Sequence, residues 1–325
     1  CGIDEPSFQL TSEISDGASC PKIITRTYEI ADSCGNISSC TQAISINDSE
    51  VPTFTCPAGL TTVCDISEQP VYTSFTEFSL AGGSTSDNCG IDTLSFNLTD
   101  ESTDGNTCPE VITRTYEIAD SCGNIATCTQ LITINDTELP VIACPADLTA
   151  VCDISEQPAY VDFNDFIANG GSASDNCGIN ELSFNLADES TDGASCPEVI
   201  TRTYEIADSC GNLATCTQVI TINDTEVPVI SCPDNLSAVC DISEQPAYTS
   251  LSDFLNAGGT VTDNCEIDEF SFNLFFESSN GFSCPEVYIR TYQIGDSCGN
   301  FVTCSQLVSI NDTIVPIITC PADLS

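Results

Sequence analysis

Residues 200–222 read "ITRTYEIADSCGNLATCTQVITI". Ile200, Arg202, Tyr204 and Ile206 take every second position, and Cys216, Ile220 and Ile222 do so again after the turn. A period of two marks half-buried β-strands. The intervening "ADSCGN" gathers Asp, Ser, Gly and Asn, the residues that turns use. The passage recurs with few changes at 24–46, 112–134 and 288–310, so the fold it specifies is built at least four times.

The repeat is regular. Cys56, Cys144, Cys232 and Cys320 each open a Cys-Pro, at a constant interval of 88 residues. That period is too long for a solenoid unit and suits a small independent domain. The expected modules are 48–135, 136–223 and 224–311, with the C-terminal part of another at 1–47 and the start of a further one at 312–325. The chain reads as an excerpt from a longer tandem array.

The rest of a module, taken at 136–223, continues the pattern. "VIACP" starts a strand, and "LTAVC" sets Leu148, Ala150 and Cys152 on one face. "DFNDFIANGG" places Phe163, Phe166 and Ile167 at helical spacing before Gly170 and Gly171, which predicts a short helix over the core. Ser74 with Glu77, and Ser250 with Asp253, have capping-box spacing. "LSFNL" aligns Leu182, Phe184 and Leu186. Short strands with polar turns predict an all-β protein: tandem β-sandwich modules, each with one short helix.

Composition limits the function. Twenty-three cysteines, six per full module, with no histidine and no CxxC pair, argue for disulfides rather than zinc or redox chemistry. The implied compartment is oxidising, extracellular or periplasmic. A net charge of −44 with five Lys and Arg argues against nucleic acid and anionic membranes as partners. There is no Gly-rich phosphate loop and no serine–base pattern. A glycosidase-like acid pair would have to be tuned in every module, so the chain is not expected to be an enzyme.

Two further features stand out. Arg26, Arg114, Arg202 and Arg290 share the strand face of the buried tyrosine and isoleucines, where a cation must be paired or reach water. A structural ion pair or backbone clamp is expected, against a carbohydrate or carboxylate site as the alternative. In 270–282, "FSFNLFFESSNGF", Phe275, Phe276 and Phe282 replace the small or polar residues of other modules, for example Ala187 and Asp188. They suggest a contact patch with a neighbouring chain, or local repacking.

Three motifs together carry a family resemblance: "D-x-x-x-P-x-I-x-CP" at the module start, "SDNCG" in its middle, and "RTYEIADSCGN-x-ATC-x-Q-x-I-x-I" at its end. Across nearly the whole chain they resemble the hyalin-repeat (HYR-like) immunoglobulin-type domain, in the cysteine-rich form of very large secreted or surface adhesin-like proteins of Bacteroidota. The resemblance implies an extracellular Ig-like sandwich with an adhesive or scaffolding role and no catalytic residue.

Six cysteines leave the connectivity open. The topology implied by the resemblance joins the first and last strands as Cys144–Cys216, then Cys177–Cys210 at one end and Cys152–Cys196 at the other, three bridges per module. Repeated, this gives Cys56–Cys128, Cys64–Cys108 and Cys89–Cys122; Cys232–Cys304, Cys240–Cys284 and Cys265–Cys298; and Cys1–Cys34. Cys20, Cys40 and Cys320 would await partners outside the excerpt. A first-to-last bridge would also limit how far a pulled module extends.

On the same topology, Asp136, Glu138, Asp175 and Asp208 converge at one junction, and Asp224, Glu226, Asp263 and Asp296 at the next. Carboxylates so grouped suit calcium, which takes six to eight oxygens. The competing reading is that Asp and Asn in "IND" and "SDN" only form turns. The functional expectation is a non-catalytic extracellular filament or stalk, stiffened by disulfides, with calcium as the candidate cofactor. The alternative is a multivalent adhesin for glycans or surfaces. Partners would be neighbouring modules, other copies or surface glycans, with no membrane insertion in this segment.

Overall fold

The computed structural model describes residues 2–320. Its elements recur with the sequence period, and they are β-strands apart from one six-residue α-helix and one turn of 3₁₀-helix in each full repeat.

In repeat 48–135 the strand Glu110–Asp120 forms the centre of the sheet. It pairs antiparallel with Ile125–Ile134, placing Tyr116 opposite Cys128, and on its other side with Ile91–Thr103. Leu60–Thr62 joins the last strand in parallel, Leu60 opposite Ile132. Thr53–Thr55 and Ser84–Ser86 form a separate two-stranded ribbon. Repeat 224–311 has the same four-stranded order and the same ribbon. Residues 1–47 contribute a three-stranded sheet.

The core explains why the sheet and ribbon pack. Phe78 from the helix Phe75–Leu80, Phe96 from the edge strand, and Tyr116 and Ile118 from the central strand are buried together, with Phe54 of the ribbon against them. Phe96 and Tyr116 stack with centroids 5.5 Å apart. Burying each such side chain stabilises the fold by about 1.5–3 kcal/mol. The helix starts at Ser74, whose hydroxyl accepts from the Glu77 amide at 3.3 Å. It closes onto Gly83, where a Cβ would stand 2.1 Å from the Phe78 ring.

The buried face of the central strand reads as the alternation predicts: Ile200, Arg202, Tyr204 and Ile206 are all buried. Other expectations need correction. Leu182 does not share a face with Phe184; it is 97% exposed, and Leu94 and Phe270 at equivalent positions are 94% and 100% exposed. The edge strand shifts register between Asp92 and Asn97, and again between Asp268 and Asn273, which breaks the two-residue period there. Cys152 lies beyond its strand, which ends at Ala150, and Ile167 is half-exposed.

The chain divides into two compact units. The first contains Cys1–Pro140 with Asp175–Ile179 and Ala207–Asn212; the second contains Val141–Ser174, Asn180–Ile206 and Leu213–Ser325. The first unit thus holds the "DNCG" and "ADSCGN" segments of repeat 136–223 along with all of repeat 48–135.

Candidate functional site

Each seam between repeats is built from turns. In the first unit, the Asp208 carboxylate accepts from the amides of Cys210 and Asn212, both at 2.8 Å, and from the Asn212 side chain at 2.7 Å. Asn212 then donates to the Asp136 carbonyl at 3.0 Å, fastening the "ADSCGN" loop to the linker. Asp136 itself accepts from the Glu138 amide at 3.0 Å. The earlier counterpart, Asp120, has the same arrangement. Burial pushes its carboxyl up, but the hydrogen bonds from Asn124 and Cys122 outweigh this and hold it below its ordinary value.

The loop that faces these turns is set by a capping box. Asp65 caps the 3₁₀ turn Ile66–Glu68, and Glu68 reaches back to the amides of Cys64 at 2.9 Å and Asp65 at 3.2 Å, and to the Thr62 hydroxyl. These bonds lower the Glu68 carboxyl to about 2, the Thr62 hydroxyl contributing most. Arg114 clamps the same turn to the sheet: Nε pairs with Glu101 at 2.6 Å and Nη1 donates to the Gln69 carbonyl at 2.7 Å. Arg202 and Arg290 repeat both contacts, with Glu189 and Gln157, and with Glu277 and Gln245. All three guanidinium groups are buried and paired, whereas Arg26 with Glu13 is half-exposed.

The disulfides connect these loops. Cys56–Cys128, Cys144–Cys216 and Cys232–Cys304 lie within repeats, joining the residue after the ribbon strand to the last strand. The other bridges leave the repeat. Cys64 bonds Cys177, Cys108 bonds Cys210, and Cys20 bonds Cys122 in the first unit. Cys152 bonds Cys265 and Cys196 bonds Cys298 in the second. The expected pairs Cys64–Cys108, Cys89–Cys122, Cys152–Cys196, Cys177–Cys210, Cys240–Cys284 and Cys265–Cys298 are therefore corrected. Cys20 also has a partner inside the sequence. The reason is directional: the loop cysteines at each end of a repeat face the seam and meet those of the next repeat before they meet each other. Three bridges per module become one within and two across each fully described seam.

Cys40, Cys89, Cys240, Cys284 and Cys320 are exposed thiols. The expected Cys1–Cys34 bridge falls on Cys1, outside the described residues. Cys89 lies against Asp48, whose hydrogen bond pushes the thiol up.

Of the acids proposed for calcium, the structure brings together Asp136 with Asp175, and Asp224 with Asp263. Asp208 and Asp296 are occupied in their own turns, and Glu138 and Glu226 are exposed. Phe275, Phe276 and Phe282 are 61%, 56% and 70% exposed. Sequence reasoning missed Gln130, Gln218 and Gln306, which are fully buried; Gln218 donates to the Ala146 carbonyl at 2.8 Å. Their place in the alternation between Cys216 and Ile220 was the available signal.

No protein-family profile and no curated protein matches the chain. Among solved structures, protocadherin gammaB7 EC3-6 is similar over 95% of this chain and 92% of that one, with 11% identity and a TM-score of 0.27. Protocadherin gamma B7 cadherin domains 1-4 are similar over 89% and 82%, with 13% identity and a TM-score of 0.29. The human desmocollin-1 ectodomain is similar over 91% and 66%, with 13% identity and a TM-score of 0.20. The chain is an all-β protein of tandem, disulfide-bridged sandwiches on the strength of its own sheet topology and register.

Proposed function

We propose that the chain is a length of extracellular stalk or filament, non-catalytic, whose repeats are joined by disulfides as well as by the backbone. The observation that carries this reading is the path the bridges open. Cys108–Cys210 enters repeat 136–223 and Cys196–Cys298 leaves it. Between them lie only the thirteen residues from 197 to 209, most of them in the extended strand Glu198–Asp208. A fully drawn segment of that length spans about 50 Å, against roughly 300 Å for the whole 88-residue repeat. A pulled stalk of this kind has almost no length to release. This replaces Cys144–Cys216 as the expected limit on extension.

Eight disulfides support an oxidising, extracellular setting. No helix among the described residues is long and apolar enough to cross a membrane. Calcium at the seam acids would brace such a stalk a second time. A second reading, an adhesive or inter-chain contact, is favoured at one stretch: Phe270, Phe275, Phe276 and Phe282 are all exposed within residues 270–282, and the corresponding positions of the other repeats hold no aromatic residue. The HYR-like assignment in Bacteroidota accompanies the stalk reading as a proposal.

Single-molecule stretching decides the matter. The oxidised chain should show no unfolding step longer than about 50 Å for repeat 136–223, and steps near 300 Å should emerge after reduction. Long steps in the oxidised chain would refute the covalent path.

A further inference from the structure

The seam of the second unit buries negative charge without an answering cation. Asp224 is 3% exposed. Its Oδ1 accepts from the Glu226 amide at 3.0 Å and the Asn264 side chain at 3.1 Å, while its Oδ2 is buried with no partner. Asp263 is arranged alike: Oδ2 accepts from the Cys265 amide at 2.9 Å, and Oδ1 is buried with no partner. Arg290 is the single cation of repeat 224–311, and it is held by Glu277 and the Gln245 carbonyl. A buried carboxylate oxygen left with neither donor nor counter-charge is costly.

The two carboxylates present ligand atoms within 4.8 Å of each other. Oxygens sharing one calcium ion at 2.3–2.6 Å stand no more than about 5 Å apart, so both can reach the same ion. The sulfur nearby belongs to the Cys152–Cys265 disulfide and offers no thiolate, which removes the soft donor that zinc would favour.

We propose that Asp224 and Asp263 bind one Ca²⁺ ion through their unpartnered oxygens, with water completing the shell, and that Asp296 and Glu226 are not ligands. Asp296 is spent on the Asn300 amide at 2.9 Å and side chain at 2.8 Å. Asn300 in turn donates to the Asp224 carbonyl at 3.1 Å and so positions the binding aspartate. The site stands whether or not the chain is a stalk, since its ligation does not depend on load.

Calcium titration of the oxidised 325-residue chain by calorimetry tests it. The combined change Asp224→Asn and Asp263→Asn should lower the number of ions bound per chain by one, and Glu226→Gln should leave that number unchanged. Extracellular sites of this kind bind in the range of about 10⁻⁴–10⁻³ M, so the titration runs to several millimolar. If the double variant fails to form Cys152–Cys265 by mass, Asp263→Asn alone decides, with at least a tenfold loss of affinity at one site expected. A double variant that binds as many ions as the parent, or a parent that binds none, overturns the proposal.

Discussion

The interior of a repeat and its ends are held by different physics. Inside, Phe254, Phe272, Tyr292 and Ile294 exclude water, one disulfide joins ribbon to sheet, and the arginine is paired. At the ends, turns, buried carboxylates and two cross-repeat disulfides take over. Stability of the domain and continuity of the chain are thereby separated. A repeat can lose its core without losing its covalent place.

The largest expected effect tests that separation directly. Phe254→Ala removes the helix side chain at the centre of the core, 0% exposed, and should cost repeat 224–311 about 3–5 kcal/mol in denaturant unfolding. Cys152–Cys265 and Cys196–Cys298 should remain intact in the same sample. Loss of those bridges together with the core would join what the comparison holds apart.

A smaller effect sharpens it from the side of the ends. The Glu68 carboxyl sits near 2 in the fold against an ordinary 4.5, so its ionised form stabilises the capping box above pH 4.5. That contribution should fade as the pH drops from about 4.5 to about 2. Hydrogen exchange at the Val63 and Cys64 amides, which donate to Glu68, should quicken across this window while the Tyr116 strand stays protected. In Glu68→Gln the pH step should vanish. An unchanged step in that variant would assign the titration elsewhere.

The interior was legible because its signals are local. The alternation from Ile200 to Ile206 names the buried face, and Phe163 and Phe166 name the helix face. Leu182 was misread because a register shift, which no residue type announces, turned the strand. The seams were illegible for a different reason: in a strict repeat, every cysteine has an identical neighbour 88 residues away. The expected scheme joined Cys64 to Cys108 at one end of a repeat and Cys89 to Cys122 at the other, whereas the structure joins Cys64 to Cys177 and Cys108 to Cys210, the next repeat's copies of Cys89 and Cys122; only the direction of the loops decides between the two. For the acids, residue type pointed to the right turns, but it does not tell Asp296, whose oxygens are used by Asn300, from Asp263, whose Oδ1 is left without a partner.

Disulfide mapping of the native chain is the most direct test of the cross-repeat brace. Digestion at acidic residues without reduction, followed by mass spectrometry, should yield peptides joining Cys108 to Cys210 and Cys152 to Cys265. Peptides joining Cys64 to Cys108, or Cys177 to Cys210, would confine every bridge to its own repeat and contradict the account.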